Sequence, residues 1–343
     1  MSLTLTSGEA NRIRDLVRDS ERIVITTHQS PDGDAMGSSL ALQHYLHMVG
    51  IKSHVVVPDH IPSFLQWLPG ADKVIVFSEH KEKAKKAIAL ADLIFSLDYN
   101  QLYRTGKEME EVLEKSKASF ILVDHHHDPG DFAGIVYSDT RSCSTAQMVF
   151  KMIEALGDRD KIDIPTAECI YCGLVTDSGS FRFPSVTPET HHIAADLIAR
   201  GMDHARIHRE IYDNNILDRI RLVGYALSEK LEVIKECSVA IIALTGEELQ
   251  RFNYRPGDTE GLVNQALSVQ GVKLAAFFRE GNNEIKVSFR STGLFDVNRY
   301  ARKSWKGGGH SNAAGGNSNE SLGEALSRFK QEVHTLCAEI NQS

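Results

Sequence analysis

Five short apolar runs, each followed by a polar turn, dominate the first half of this chain and leave it few architectures. They lie at residues 22–27, 53–57, 73–77, 93–97 and 119–123, and helical periodicity covers 35–49, 81–89, 108–116, 145–156 and 166–175. Strands apolar on both faces need cover on both, which alternation with helices provides through a mostly parallel sheet. The expected class is therefore α/β, with a mostly parallel sheet in an N-terminal domain over residues 1–185. Residues 186–230 start at Thr187-Pro188-Glu189-Thr190 and keep helical periodicity without a clear strand, so they read as a helical connector. Further runs at 231–235, 239–244, 272–279 and 284–290, with helices near Glu247, Glu260 and Phe295 and over 321–339, predict a smaller α/β domain over 231–343.

The chemistry concentrates where the runs end. His28, Asp32 and Asp34 follow Ile23-Val24-Ile25 on a Pro/Gly turn, Asp98 follows Leu93–Leu97, and Asp124-His125-His126 follows Phe120–Val123. In an open α/β sheet the carboxyl ends of parallel strands border the ligand crevice, so these groups should converge. Asp177 closes another apolar helical stretch ahead of Gly179. Asp34 alone would read as a helix N-cap. Several carboxylates gathered together, however, repel one another and lose hydration unless cations neutralise them. Two divalent ions would cancel four such charges, and mixed Asp/His ligation suits Mn²⁺, Fe²⁺, Co²⁺ or Zn²⁺ better than Ca²⁺.

Composition excludes several classes. With 343 residues and 42% hydrophobic content the chain can bury two cores, and it holds no run of eighteen apolar residues and no signal-like start. A cytoplasmic, membrane-free protein is expected. Five cysteines, odd in number, argue against a disulfide framework, and Cys169-x-x-Cys172 lies among the apolar positions of a helix, where buried thiols are expected. A net charge of -8 speaks against coating long nucleic acid. Residues 285–310 nevertheless hold Lys286, Arg290, Arg299, Arg302, Lys303 and Lys306 against Asp296 alone, a local basic patch. The loop Gly307-Gly308-Gly309-His310 follows, leading into small residues that could open a helix and suit close approach to an anion.

His28-x-x-x-Asp32-x-Asp34, Asp98, Asp124-His125-His126 and Asp177 together resemble the four motifs of the DHH phosphoesterases over about residues 15–185, and residues 235–340 resemble the DHH-associated domain of the Gly-Gly-Gly-His type. The resemblance implies a two-metal centre, most commonly Mn²⁺. His28, Asp32 and Asp98 would hold one ion, Asp34, Asp98, His125 and Asp177 the other, and a hydroxide between them would be the nucleophile. Catalytic roles then fall to bridging Asp98, to His126 beside the substrate phosphate and to Asp124, which orients the imidazoles. Arg290, Gly307, Gly308, Gly309 and His310 would bind substrate. His127 falls outside the motif, and His191 and His192 lack acidic partners. Gln147 stands where the resemblance leads one to expect an acidic residue.

A chain with both domains and little else resembles the stand-alone bacterial nanoRNase group of that family. This implies hydrolysis of short oligoribonucleotides to 5′-mononucleotides and removal of the 3′-phosphate from 3′-phosphoadenosine 5′-phosphate (pAp). Cyclic di-AMP or pApA hydrolysis is the alternative, and a nucleotide-binding scaffold without catalysis is a third reading. An exonuclease on long strands would need a further binding domain, and a manganese pyrophosphatase would lack the Gly-Gly-Gly-His loop. The expected partners are short oligonucleotides or nucleotides, not long duplexes, and the apolar connector helices would suit a homodimer.

Overall fold

The computed structural model describes residues 5–281 and 284–342. It divides into two compact units, Met1–Asn214 and Asn215–Ser343.

The first unit is built on six parallel strands, β1 (Ile23–Thr26), β2 (Ser53–Val57), β3 (Ile75–Val76), β4 (Leu93–Leu97), β5 (Ser119–Asp124) and β6 (Ile135–Ser138). Their order is β3-β2-β1-β4-β5-β6. The helices are α1 (Ser7–Asp19), α2 (Gly33–Met48), α3 (Lys81–Ala89), α4 (Lys107–Leu113), α5 (Thr145–Ala155), α6 (Ile164–Asp177), α7 (Pro188–Ala199) and α8 (His204–His208). Strand alternation feeds two cores: Ile23 and Ile25 join Met36 and Leu40 of α2, whereas Val24 and Ile94 join Ile88 of α3 and Met109 of α4. The sheet is thus covered on both faces, as its uninterrupted apolar strands require.

The direction of strand addition reverses between β1 and β4, and ligands of such sheets bind beyond the strand ends at that reversal. His28 and Asp98 stand on either side of it.

The second unit has a mixed sheet of β7 (Leu231–Ile234), β8 (Val239–Leu244), β9 (Leu274–Glu280), β10 (Ile285–Ser291), β11 (Gly308–His310) and β12 (Ala313–Ser318), ordered β11-β12-β10-β9-β8-β7. Its helices are α9 (Leu217–Glu229), α10 (Gly246–Arg251), α11 (Leu262–Leu267), α12 (Val297–Ser304) and α13 (Leu322–Gln342). One face packs Val287 and Phe289 against Trp305 and Phe329, and the other packs Ala275 and Phe277 beneath α9 and α11. The helices expected as a connector are shared between the units. Pro188–Ala199 and His204–His208 fall in the first, and Leu217–Glu229 falls in the second.

Two sequence expectations need correction. Ala313–Ser318, read as a helix start, is strand β12, paired antiparallel with β10. Cys237 and Cys337, 100 residues apart, form a disulfide that the odd cysteine count concealed. Cys143, Cys169 and Cys172 are buried free thiols, and burial pushes all three thiols up. No helix among the described residues is long and apolar enough to cross a membrane.

Candidate metal centre

Asp32, rather than Asp34, is the N-cap of α2, accepting the amides of Asp34 and Ala35 at 3.0 Å. This frees Asp34, in the first turn, to point across at another helix. Its two oxygens accept the amides of Thr145 (2.6 Å) and Ala146 (2.8 Å) at the start of α5. The approach depends on glycine: a Cβ at Gly37 would lie 2.5 Å from the Cys169 carbonyl, and one at Gly173 would lie 2.7 Å from Asp34 Oδ1. Helices α2 and α6 therefore cross with backbones nearly touching, which brings Asp34 beside Asp177 at the end of α6.

Asp98 occupies the left-handed region at φ 64°, a conformation Asp tolerates better than most residues but which is uncommon outside turns and functional sites. This places its carboxylate between two groups. Oδ2 lies 3.4 Å from His28 Nε2, which is also 3.9 Å from Asp32 Oδ1. Oδ1 lies 3.5 Å from His125 Nε2, which is 3.8 Å from Asp34 Oδ2 and 3.4 Å from Asp177 Oδ2. The donor atoms of His28, Asp32 and Asp98 lie within 4.8 Å of one another, as do those of Asp34, His125 and Asp177, and those of Asp98, Asp124 and His126.

The imidazole tautomers test whether cations fit. His28 Nδ1 faces the Gln29 carbonyl at 2.9 Å and His125 Nδ1 faces the Ser142 carbonyl at 3.2 Å. Both Nδ1 atoms must carry a proton, so both Nε2 lone pairs aim at carboxylates unless a proton or metal ion intervenes. The carboxylates tell the same story. Burial, with Asp98 and Asp177 alongside, drives the Asp34 carboxyl well above the usual range despite its two amide donors. Burial opposes ionisation of Asp98 too, but the hydrogen bond and charge of His28 win, and its carboxyl falls below the usual range. Burial also opposes charge on His28 and His125, yet the surrounding aspartates hold both imidazoles up. Divalent ions fit this donor set: they would take the Nε2 lone pairs and neutralise the carboxylates together.

His126 differs. Its Nδ1 is 2.7 Å from Asp124 Oδ1, and its amide donates to Asp124 Oδ2, so the strand-end aspartate fixes the ring. Burial lowers its imidazole despite Asp124, which favours the neutral form.

In the second unit, Arg290 pairs with Ala313 and Ala313 with His310 across three neighbouring strands. Directly opposed residues share a face, so Arg290 and His310 rise from one side of the sheet, about 10 Å apart, with one methyl between them. A Cβ at Gly307 would lie 1.9 Å from the Gly315 carbonyl, and Gly309 holds φ 151°, so these glycines let the hairpin close. Their amides are engaged, Gly307 with the Ala301 carbonyl and Gly309 with Asn298 Oδ1. Gly308 lies between them in β11.

Sequence reasoning missed three contributors. Ser142 fixes His125 through its carbonyl, and Thr145 meets two of the carboxylates. Arg104 accepts the Gln29 amide on its own carbonyl at 2.7 Å, and its guanidinium charge reaches both His28 and His126. A cation three residues before a helix start gives no signal in a sequence. His127 contributes its carbonyl to Asn100, and His191 stacks on Phe181. Gln147 is buried and accepts from Thr190 Oγ1 at 2.8 Å, a neutral link to α7 where a carboxylate would add a further buried charge.

Known proteins resemble this chain over both units. Residues 22–174 match the model of the DHH family, N-terminal domain, and residues 237–339 match the DHHA1 domain. A bifunctional oligoribonuclease and PAP phosphatase NrnA of Thermus thermophilus is 30% identical over 297 residues, covering 85% of this chain and 83% of the relative. The cyclic-di-AMP phosphodiesterase GdpP of Bacillus subtilis is 24% identical, covering 94% of this chain but 49% of the relative. Among solved structures, an exopolyphosphatase-related protein from Bacteroides fragilis superposes with a TM-score of 0.93 at 37% identity, covering 99% of both chains.

Proposed function

Since the chain belongs to the DHH family of phosphoesterases, with its DHH and DHHA1 domains together, we propose that it hydrolyses short oligoribonucleotides to 5′-mononucleotides and removes the 3′-phosphate of pAp. The observation that carries this reading is the division of Asp98 between two clusters, one oxygen toward His28 and the other toward His125. His28, Asp32 and Asp98 would hold one divalent ion, and Asp34, Asp98, His125 and Asp177 a second, Mn²⁺ being the ion expected. When bound, such ions lower the pKa of water and neutralise phosphoryl oxygens. The chain's own groups do the rest. Asp98 ties the two clusters at a fixed separation, Asp124 holds His126 toward the phosphate and leaving oxygen, and Arg104 adds positive charge beside them.

Substrate choice rests on the second unit. Arg290 and His310, on one sheet face with Ala313 between them, suit a phosphate or terminal nucleotide away from the scissile bond. Gly307, Gly308 and Gly309 shape that hairpin, and a net charge of -8 favours short ligands over long strands. The name of the Thermus relative supports oligoribonucleotides and pAp. That of the Bacillus relative keeps cyclic di-AMP as the second reading.

Product analysis on a labelled trinucleotide, pAp and cyclic di-AMP in parallel, with Mn²⁺, separates these. Mononucleotides from the trinucleotide and AMP from pAp are expected. A clear preference for the cyclic compound would reverse the two readings, and no hydrolysis of any would leave a binding scaffold. His310→Ala should lower turnover of the trinucleotide about 10-fold to 100-fold more than that of bis-p-nitrophenyl phosphate, which lacks a distal nucleotide. Equal losses on both would put His310 at the reacting centre instead.

A further inference from the structure

The start of α5 holds both clusters through one residue. Thr145 Oγ1 donates to Asp98 Oδ1 at 2.9 Å, and the Thr145 amide donates to Asp34 Oδ2 at 2.6 Å. The residue is wholly buried, and Ser144 supplies the helix cap by accepting the Gln147 amide at 3.0 Å. The Thr145 hydroxyl is therefore not needed to start the helix.

Its effect on Asp98 follows from carboxylate geometry. A carboxylate turns about the Cβ–Cγ bond with little preference, because that torsion is broad. Turned one way, Asp98 offers one oxygen to each cluster; turned by a quarter, it points neither oxygen at either. His28, His125 and His126 surround the group but are themselves candidate ion ligands or substrate-facing groups, and their contacts would change on loading. Among the described residues, Thr145 is the one hydroxyl or amide donor to this carboxylate, and it does not compete for an ion. It bonds the oxygen on the His125 side, which leaves Oδ2 toward His28.

Resting on the two-ion reading above, we infer that Thr145 is a positioning residue whose hydroxyl sets the plane of the Asp98 carboxylate so that one oxygen serves each ion. Its amide, by holding Asp34, fixes the partner carboxylate of the second cluster relative to the first. One residue thus sets the spacing of the pair. Partners of this kind, which orient a ligand without touching the ion, typically alter metal affinity or activity 10–100-fold.

The test compares Thr145→Val, which removes the hydroxyl but keeps the shape and the amide, with Thr145→Ser, which keeps the hydroxyl. The full-length proteins are stripped with chelator and titrated with Mn²⁺ alone, with electron paramagnetic resonance reading the exchange coupling of a bridged pair. Wild type should bind two coupled ions. Thr145→Val should weaken the second ion about tenfold or more, lose most of the coupling, and lower kcat on bis-p-nitrophenyl phosphate at saturating Mn²⁺ with KM little changed. Its metal-free melting temperature should match wild type, and Thr145→Ser should restore coupling and kcat. Two coupled ions of unchanged affinity in Thr145→Val, or a Thr145→Ser as impaired as Thr145→Val, would overturn the inference while leaving the two-ion reading intact. A wild type that binds no coupled pair would overturn both.

Discussion

Asp98→Asn should cut Mn²⁺-dependent phosphodiester hydrolysis by about 10³-fold or more, well beyond the 10–100-fold typical of groups that only orient a ligand. The change is isosteric, and the structure says which half of the centre it disables. An amide NH₂ cannot accept the Thr145 hydroxyl, so the remaining carbonyl oxygen should stay on the Thr145 and His125 side. The NH₂ then turns toward His28 Nε2, 3.4 Å away in the wild type, and donates to its lone pair. The His28 and Asp32 cluster loses the Asp98 oxygen while the other keeps one. The expected Mn²⁺ stoichiometry therefore falls from two to one. Removing one charge from a buried group of carboxylates relieves repulsion on Asp34 but also removes the favourable pairing with His28, and the two effects oppose, so the melting temperature in chelator should change little. Near wild-type turnover in Asp98→Asn would sink the bridging role. Loss of turnover together with unfolding would mean that Asp98 is structural, and circular dichroism of the metal-free protein separates the two.

What could be read in the chain and what could not follows from where each signal is stored. The strands that lead to the site are buried on both faces, so Ile23–Thr26, Leu93–Leu97 and Ser119–Asp124 carry an uninterrupted apolar pattern, and the polar residues at their ends stand out. This is why His28, Asp98 and His125 could be found together. Ile135–Ser138 lies at the sheet edge and alternates in exposure, and Gly308–His310 and Ala313–Ser318 are nearly all small residues. Their strand character comes from pairing, of β6 with β5, of β12 with β10 and of β11 with β12, a tertiary fact that local propensity does not hold. The same applies to Thr145 and Asp34, which meet across 111 residues of sequence. Asp34, which taken alone would read as an N-cap, does not cap α2 because Asp32, two residues earlier, already satisfies the helix amides. Glycines inside α2 and α6 look like weak points of a helix. Their use appears only when the two helices are seen to cross there.

Gly173→Ala tests that crossing, and its effect on the site should exceed its effect on the fold. The new Cβ would lie 2.5 Å from Ala146 Cβ and 2.7 Å from Asp34 Oδ1, distances that neither neighbour can tolerate. If α5 retreats, the Thr145 and Ala146 amides leave Asp34; if Asp34 retreats, it leaves His125 and Asp177. Either movement opens the second cluster. Overpacking of this size costs about 1–3 kcal/mol, and about 2–4 °C of melting temperature per kcal/mol in a domain of this length. A fall of up to about 10 °C is expected, with Mn²⁺ affinity and turnover reduced about 100-fold or more. Gly37→Ala is the control. Its Cβ would meet the main chain of α6, 2.5 Å from the Cys169 carbonyl and 2.9 Å from the Gly173 amide nitrogen, without touching a site carboxylate. The two variants should lose similar stability, but Gly173→Ala should lose more of its Mn²⁺ affinity at a temperature where both are folded. If calorimetry finds the same affinity loss in both, the glycine at 173 serves helix packing alone, and the proximity of Asp34 to it has no bearing on the centre.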